Sequence, residues 1–204
     1  LSLCGSNLAL IASLPWYDFK QTRSALDDFW GSLRCVLTDA GVPDLPEKLE
    51  RTIALESQWQ SDQLVLSQCC GTDLMFPARE FLEPIARPVF EGLDCRPGDY
   101  YSYIISRPDA DLSGPATIAI NSLSSWSGHF SLRHWFNAND KVVKDTVISG
   151  SHRASIDAVI KGRATIAAID AFSWHWLGTG QVSIRDRTIA APSPPYVYHR
   201  ASSV

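Results

Sequence analysis

From Ala116 to Leu177 the chain alternates, three times over, a short apolar run with a segment of helical periodicity, and this alternation restricts the fold more than any other feature. Ala116–Asn121, Asp145–Ser149 and Ala164–Ile169 read as strands, whereas Ser127–Asn137, Ser151–Lys161 and Ala171–Leu177 read as helices. Strand, helix and strand in succession is the pattern of an α/β unit with a mainly parallel sheet flanked by helices.

The preceding half carries the same signals less regularly. Asn7–Leu14 is an apolar run ended by Pro15, a strand opening onto a turn that holds Trp16, Tyr17 and Asp18. Between Lys20 and Ala40 the residues Ala25, Leu26, Phe29, Leu33, Val36, Leu37 and Ala40 recur at spacings of three and four, which predicts an amphipathic helix stopped by Gly41 and Pro43. Arg51–Leu55 is expected as a strand, Asp62–Cys69 as a short helix, and Cys70–Asp73 as a loop leading to Leu74, Met75 and Phe76; Leu82–Phe90 and Tyr100–Ser106 are expected as further strands. Pro108, Gly114 and Pro115 make Arg107–Pro115 the expected boundary between two lobes. The expected division is a first lobe over 1–107, a second over 108–185 and a return crossing over 186–204, in which Val182–Ile189 runs back and Tyr196–Tyr198 pairs with the first lobe.

With 204 residues and 45% hydrophobic content there is material for one sizeable core or two small ones. A net charge of −4 without a Lys/Arg cluster argues against nucleic acid as a partner. No stretch approaches the roughly 18–20 apolar residues of a membrane helix, so no membrane insertion is expected. The five cysteines fit no metal-binding spacing; Cys70 and Cys95 are either bonded or separate buried thiols. Leu1–Gly5 suggests a lipoprotein cleavage box but lacks the basic and apolar stretches that should precede one.

In α/β sheets ligands gather where strands end and helices begin. Ser124, Ser125, Ser127, Gly128 and His129 occupy such a turn ahead of a helix bearing Phe130, Leu132 and Trp135. Unpaired N–H groups, serine hydroxyls and a glycine that leaves room for an oxyanion would make an anion cradle; the same serines would equally serve as helix caps. Gly150-Ser151-His152 forms a second such turn, placing His152 at a helix start as an anion donor or as an ordinary surface histidine. Asp170 ends a strand, either to cap the next helix or to meet a cation or hydroxyl on a ligand. Tyr17, Tyr100, Tyr101 and Tyr103 are assigned to the first lobe, with Tyr101 and Tyr103 on the face opposite Tyr100.

Neither a nucleophile elbow nor a Walker loop nor an H-E-x-x-H helix is present, and no metal or cofactor is expected. An enzyme using Cys70 as nucleophile or Asp170 as base is the alternative reading, and a sensory ligand-binding domain is another.

Taken in order, Ile11–Asp18, Ser67–Gly71, Tyr100–Ser102, Asn121–His129, Ser149–Ser155, Gly162–Ala164 with Ala167–Asp170, and Pro195–Val197 resemble the phosphate/phosphonate-type periplasmic solute-binding proteins of ABC transporters. The resemblance implies a two-lobed type 2 periplasmic-binding fold, a periplasmic location, an ABC transporter permease as partner and no catalysis. It implies a cleft in which Ser124, Ser125, Ser127, Gly128, His129 and His152 hold a phosphonate-like anion, assisted by Cys70 and Gly71. Tyr17 and Tyr101 would close over the anion and Asp170 would meet an amino or hydroxyl tail. Hinges are expected near Arg107–Pro115 and Val182–Pro195. Members of that family carry a longer tail packed on the first lobe, so with this sequence stopping at Val204 the first lobe is expected to be less covered.

Overall fold

The computed structural model describes residues 9–75 and 77–200. Leu1–Gly5, with Cys4, and Phe76 lie outside these residues, as does the start of the strand expected from Asn7. In chain order the elements begin with β1 (Ile11–Ala12), α1 (Arg23–Asp39), α2 (Leu55–Trp59), β2 (Leu64–Gln68), α3 (Gly71–Met75), a 3-10 turn (Pro77–Glu80) and β3 (Leu82–Ala86). There follow β4 (Asp99–Tyr100), β5 (Ser102–Ser106), β6 (Ala116–Ile120), a π-helical turn (Trp126–Phe130) running directly into α4 (Ser131–Ala138), β7 (Val143–Ile148) and α5 (His152–Ile160). The last elements are β8 (Ile166–Asp170), α6 (Ala171–Leu177), β9 (Ser183–Arg187), β10 (Ala191–Pro192) and β11 (Tyr196–His199).

Two compact units divide the chain. The first comprises the described parts of Leu1–Cys69, Leu74–Ala86 and Pro194–Val204. Its sheet has the order β1-β2-β11-β3, with β1 and β2 parallel and β11 antiparallel to both of its neighbours. Helix α1 turns Leu26, Trp30, Leu33 and Leu37, spaced four, three and four, toward a core that includes Ala12, Leu14, Leu45, Leu49 and Leu66. Trp30 is 1% exposed and donates its indole N–H to the Pro46 carbonyl at 3.1 Å, whereas Val36, expected on the inner face, is 64% exposed. The helix ends at Gly41 as expected: φ is +90°, Gly41 N–H bonds Thr38 O and Val42 N–H bonds Leu37 O, a Schellman motif open to a residue without Cβ.

The second unit comprises Cys70–Asp73 and Arg87–Ser193. Its five-stranded sheet has the order β7-β6-β8-β5-β9, and β4 and β10 form a separate two-stranded ribbon. Strands β7, β6 and β8 are parallel; β5 is antiparallel to β8 and β9 is antiparallel to β5. Ile104, Ile118, Ile120, Leu132, Phe136, Ile166 and their neighbours form the core of this unit.

Each sheet keeps one main strand direction, as expected, with a single strand running against the rest: β11 in the first unit and β5 in the second, where β9, antiparallel to β5, runs with β6, β7 and β8. Several other expectations change. Asp62–Cys69 forms strand β2 instead of a helix, because Leu64–Gln68 pairs with β1 on one side and β11 on the other. Arg51–Leu55 is not a strand; the Glu50 carboxylate takes the N–H groups of Thr52 and Ile53, turning the chain into α2. Arg107–Pro115 joins β5 to β6 within the second unit, and apart from the short excursion Cys70–Asp73 the chain passes between units after Ala86 and after Ser193. Val182–Ile189 supplies β9, so it stays in the second unit, as do Tyr100, Tyr101 and Tyr103. The remaining strand and helix expectations from Ala116 to Leu177, and the pairing of Tyr196–Tyr198 in the first unit, hold.

Candidate functional site: a serine turn backed by buried histidine and aspartate

Strand β6 delivers Asn121 to the start of an uninterrupted helical segment, Trp126–Ala138. Ser125 is its N-cap: the side chain accepts from Gly128 N–H at 3.0 Å, and the carbonyl accepts from His129 and Phe130 N–H. Trp126 N–H is taken by Cys70 Sγ at 3.2 Å. Ser127 N–H finds no acceptor among the described residues, so one donor of the first turn is left over. Both readings of the serines therefore hold at once, for Ser125 caps the helix and Ser127 keeps a backbone donor in reserve.

The loop is fastened from several directions. His129 Nδ1 donates to Leu123 O at 2.8 Å, and Thr72 Oγ1 donates to Ser124 O while lying 3.2 Å from Cys70 Sγ. Ser122 and Ser124 hydroxyls are 3.4 Å apart, and Ser124 is exposed. Ser102 and Ser131 hydroxyls both donate to Ser127 O. Gly128 is required by a neighbour, not by an approaching anion: a Cβ there would lie 1.8 Å from Asn121 Oδ1. Gly71, by contrast, opens α3 with clear space where its Cβ would be.

The second turn is stitched to the first. Ser149 N–H and Oγ–H donate to Ile120 O, Gly150 N–H donates to Asn121 O, and Gly150 adopts φ +94°. Ser151 caps α5 by accepting from Ala154 N–H, which sets His152 at the first helical position. His152 Nε2 lies 3.0 Å from Ser127 Oγ and 3.1 Å from Asp170 Oδ2. The other Asp170 oxygen accepts from Ser173 N–H at 2.8 Å as the N-cap of α6, and the residue is 2% exposed. Burial holds His152 below its ordinary value, against the upward pull of Asp170 and the Ala168 carbonyl, so the ring is neutral near pH 7. His152 is thus a buried, neutral ring and not the surface histidine that the sequence equally allowed.

Tyr100, 2% exposed, is the tyrosine that joins this cluster. Burial pushes its phenol far up, followed by the nearby Cys70 and Asp170, with the Ser127 hydroxyl drawing it down. Tyr101 shares its side of the chain with Tyr103, as alternation predicts: the hydroxyls are 3.3 Å apart, and the Arg187 guanidinium lies 5.2 Å from the Tyr101 ring centre. Tyr17 belongs to the first unit, held at φ 72° with its carbonyl accepting from Thr22 Oγ1. Cys70 and Cys95 are separate thiols, with no disulfide among the described cysteines. Sequence reasoning named Tyr100 among the tyrosine candidates but preferred Tyr17 and Tyr101, gave Asn121 no role beyond opening the turn, and missed Thr72, which reaches Ser124 from 52 residues away.

Ser127, His152 and Asp170 do not form a nucleophile relay. Such a relay needs the carboxylate on one ring nitrogen and the hydroxyl on the other, and here both meet Nε2. The cluster presents donors (Ser127 N–H and the hydroxyls of Ser124, Ser125, Ser127 and Tyr100) at the positive end of a helix, an arrangement suited to holding an anion.

A protein-family model described as the phosphonate ABC transporter periplasmic substrate-binding protein matches residues 69–203. The chain belongs to this family. It is a family of substrate-binding transport proteins, not of enzymes, and the match takes in the whole second unit but leaves out Tyr17. No curated protein sequence matches the chain. Among solved structures, a Xanthomonas citri protein bound to chloride is 14% identical, with 95% of this chain and 78% of that chain covered and a TM-score of 0.67. PhnD1 from Prochlorococcus marinus in complex with methylphosphonate is 16% identical, covering 93% and 76%, with a TM-score of 0.66. A binding-protein component of an ABC phosphonate transporter from Pseudomonas aeruginosa is 15% identical, covering 95% and 69%, with a TM-score of 0.64. These likenesses place the phosphonate-binding family member in the two-lobed periplasmic-binding fold class. No helix among the described residues is long and apolar enough to cross a membrane.

Proposed function

We propose that this protein captures a phosphonate, or a phosphate-like tetrahedral oxyanion, at the serine turn of its second unit and delivers it to an ABC transporter permease from the periplasm. The observation that carries the ligand class is the uncommitted Ser127 N–H at a capped helix start, with the Ser124, Ser125 and Ser127 hydroxyls and neutral His152 beside it. Uncharged donors at a helix N-terminus can hold an oxyanion without a salt bridge. The methylphosphonate bound by the Prochlorococcus protein supports the same class. Cys70 and Thr72 act on this reading as supports of the turn; His129 ties its loop, and Gly71 and Gly128 give the backbone its path.

Calorimetric titration with methylphosphonate, phosphate, phosphite and sulfate tests this directly. Binding of at least one phosphorus oxyanion is expected, weakened by about tenfold in Ser127→Ala, the loss of one hydrogen bond to a charged group. Silence across the panel, in a chain that is folded by circular dichroism, would remove the proposal.

A further inference from the structure

Asp170 stands where a ligand tail could have been met, yet the geometry spends both of its oxygens inside the protein. One caps α6 through Ser173 N–H and the other lies 3.1 Å from His152 Nε2. A carboxylate can only accept, so the nitrogen facing it carries the proton. The other ring nitrogen, Nδ1, is buried and makes no hydrogen bond, so the charged Asp170 carboxylate outweighs the neutral Ala168 carbonyl that also faces the ring and draws the proton to Nε2. Ser127 Oγ lies 3.0 Å from the same Nε2. With Nε2 already protonated, the ring has no lone pair there to receive the serine hydrogen, and the hydroxyl must turn its hydrogen elsewhere. The Tyr100 phenol is its near neighbour on that side.

We propose that Asp170 is a positioning residue, not a ligand contact: it fixes the His152 proton on Nε2 so that Ser127 presents both its hydroxyl hydrogen and its backbone N–H to the bound anion. This inference rests on the phosphonate reading and sharpens it, since a site whose carboxylate is consumed in this way offers no counter-charge at Asp170 to an ammonium-bearing ligand. The substrate class it favours is a compact oxyanion with a neutral substituent.

The test uses the full chain, with methylphosphonate and aminoethylphosphonate as probes and long-range nitrogen–proton spectra of the histidine rings as a second readout. Wild type is expected to show His152 as the Nε2–H tautomer. In Asp170→Asn the amide oxygen still caps α6, and Asn is as good a cap as Asp, but the amide N–H group now points at Nε2. The tautomer moves toward Nδ1–H, and affinity for both phosphonates falls by about tenfold. Ser127→Ala is expected to lose a similar factor without moving the tautomer, and adding Asp170→Asn to it costs nothing further, since both act through one hydroxyl. A loss in Asp170→Asn confined to aminoethylphosphonate would show a direct ammonium contact and overturn the proposal, as would an Nδ1–H tautomer in wild type or a tautomer that moves in Ser127→Ala. Should wild type bind neither probe, the phosphonate reading fails on its own. The tautomer then still decides the role of Asp170: moved by Asp170→Asn it stands, unmoved it falls. If Asp170→Asn does not fold, the tautomer in wild type and in Ser127→Ala decides alone.

Discussion

Gly128 and Asn121 show how a single atom decides a residue. The Asn121 side-chain oxygen is buried without a partner and occupies the place where any Cβ at position 128 would have to go. Gly128→Ala is therefore expected to cost about 1–3 kcal/mol in urea denaturation, the usual price of overpacking, and the double variant Asn121→Ala/Gly128→Ala should regain most of it. His152 makes a second prediction at this scale. Its folded value lies below the ordinary 6.5, so the unfolded chain takes up a proton that the native ring refuses. The stability this group confers is fully present above 6.5 and is lost as pH falls from there through the depressed folded value. Denaturation at about pH 7.5 and about pH 5.5 should show the decline in wild type and a flatter profile in His152→Gln; an equally steep variant would assign the slope to another group. The turns bearing these residues were visible in the sequence because strand ends and helix starts are local signals. The choice of Tyr100 over Tyr101 was not, since it depends on Cys70 and the serine turn being brought together across more than fifty residues of chain.

Elements were legible where local periodicity and end signals agree. Helix α1 has a regular apolar stripe and a glycine stop, and the three strand–helix alternations after Ala116 each begin or end on a capping residue; these were read correctly to within a few residues. Trp30 was overlooked because Phe29 and Val36 fit the same spacing, and only the surrounding core chooses between them. Trp30→Ala is expected to cost about 3–5 kcal/mol, the range for emptying an aromatic site, whereas Val36→Ala should stay within about 0.5 kcal/mol, as exposed positions do; thermal denaturation of the pair separates the two faces of α1. Ser151→Ala should cost about 1 kcal/mol by removing the α5 cap and leave the His152 tautomer unchanged. Leu64–Gln68 was misread for a physical reason: a short apolar run is compatible with helix or strand, and what settles it is a partner more than a hundred residues later.

At the scale of the whole molecule that partner, β11, is the piece on which the first unit depends. It lies between β2 and β3, and Val197 is fully buried against residues contributed by both. A chain lacking residues 194–204 is expected to lose the cooperative unfolding of the first unit while the sheet of the second, whose strands all fall between 99 and 187, keeps its own transition in calorimetry. Persistence of both transitions would show that β2 and β3 hold without it. The return of Tyr196–Tyr198 was foreseeable from an alternating apolar run after a proline-rich segment; the one reversed strand in each sheet and the points of passage after Ala86 and Ser193 were not, because nothing local records which sheet a strand will join.

The same strand sets an order in time. During synthesis β1, β2 and β3 emerge early, but the strand that must lie between two of them is made only after residues 87–193 have appeared. The second unit, almost contiguous in sequence, can close while the first still exposes unpaired strand edges, and edges left open are where chains pair with the wrong partner. A protein built this way is expected to depend on whatever shields β2 and β3 during that interval, so its yield on refolding should fall with concentration more steeply than that of the isolated 87–193 segment.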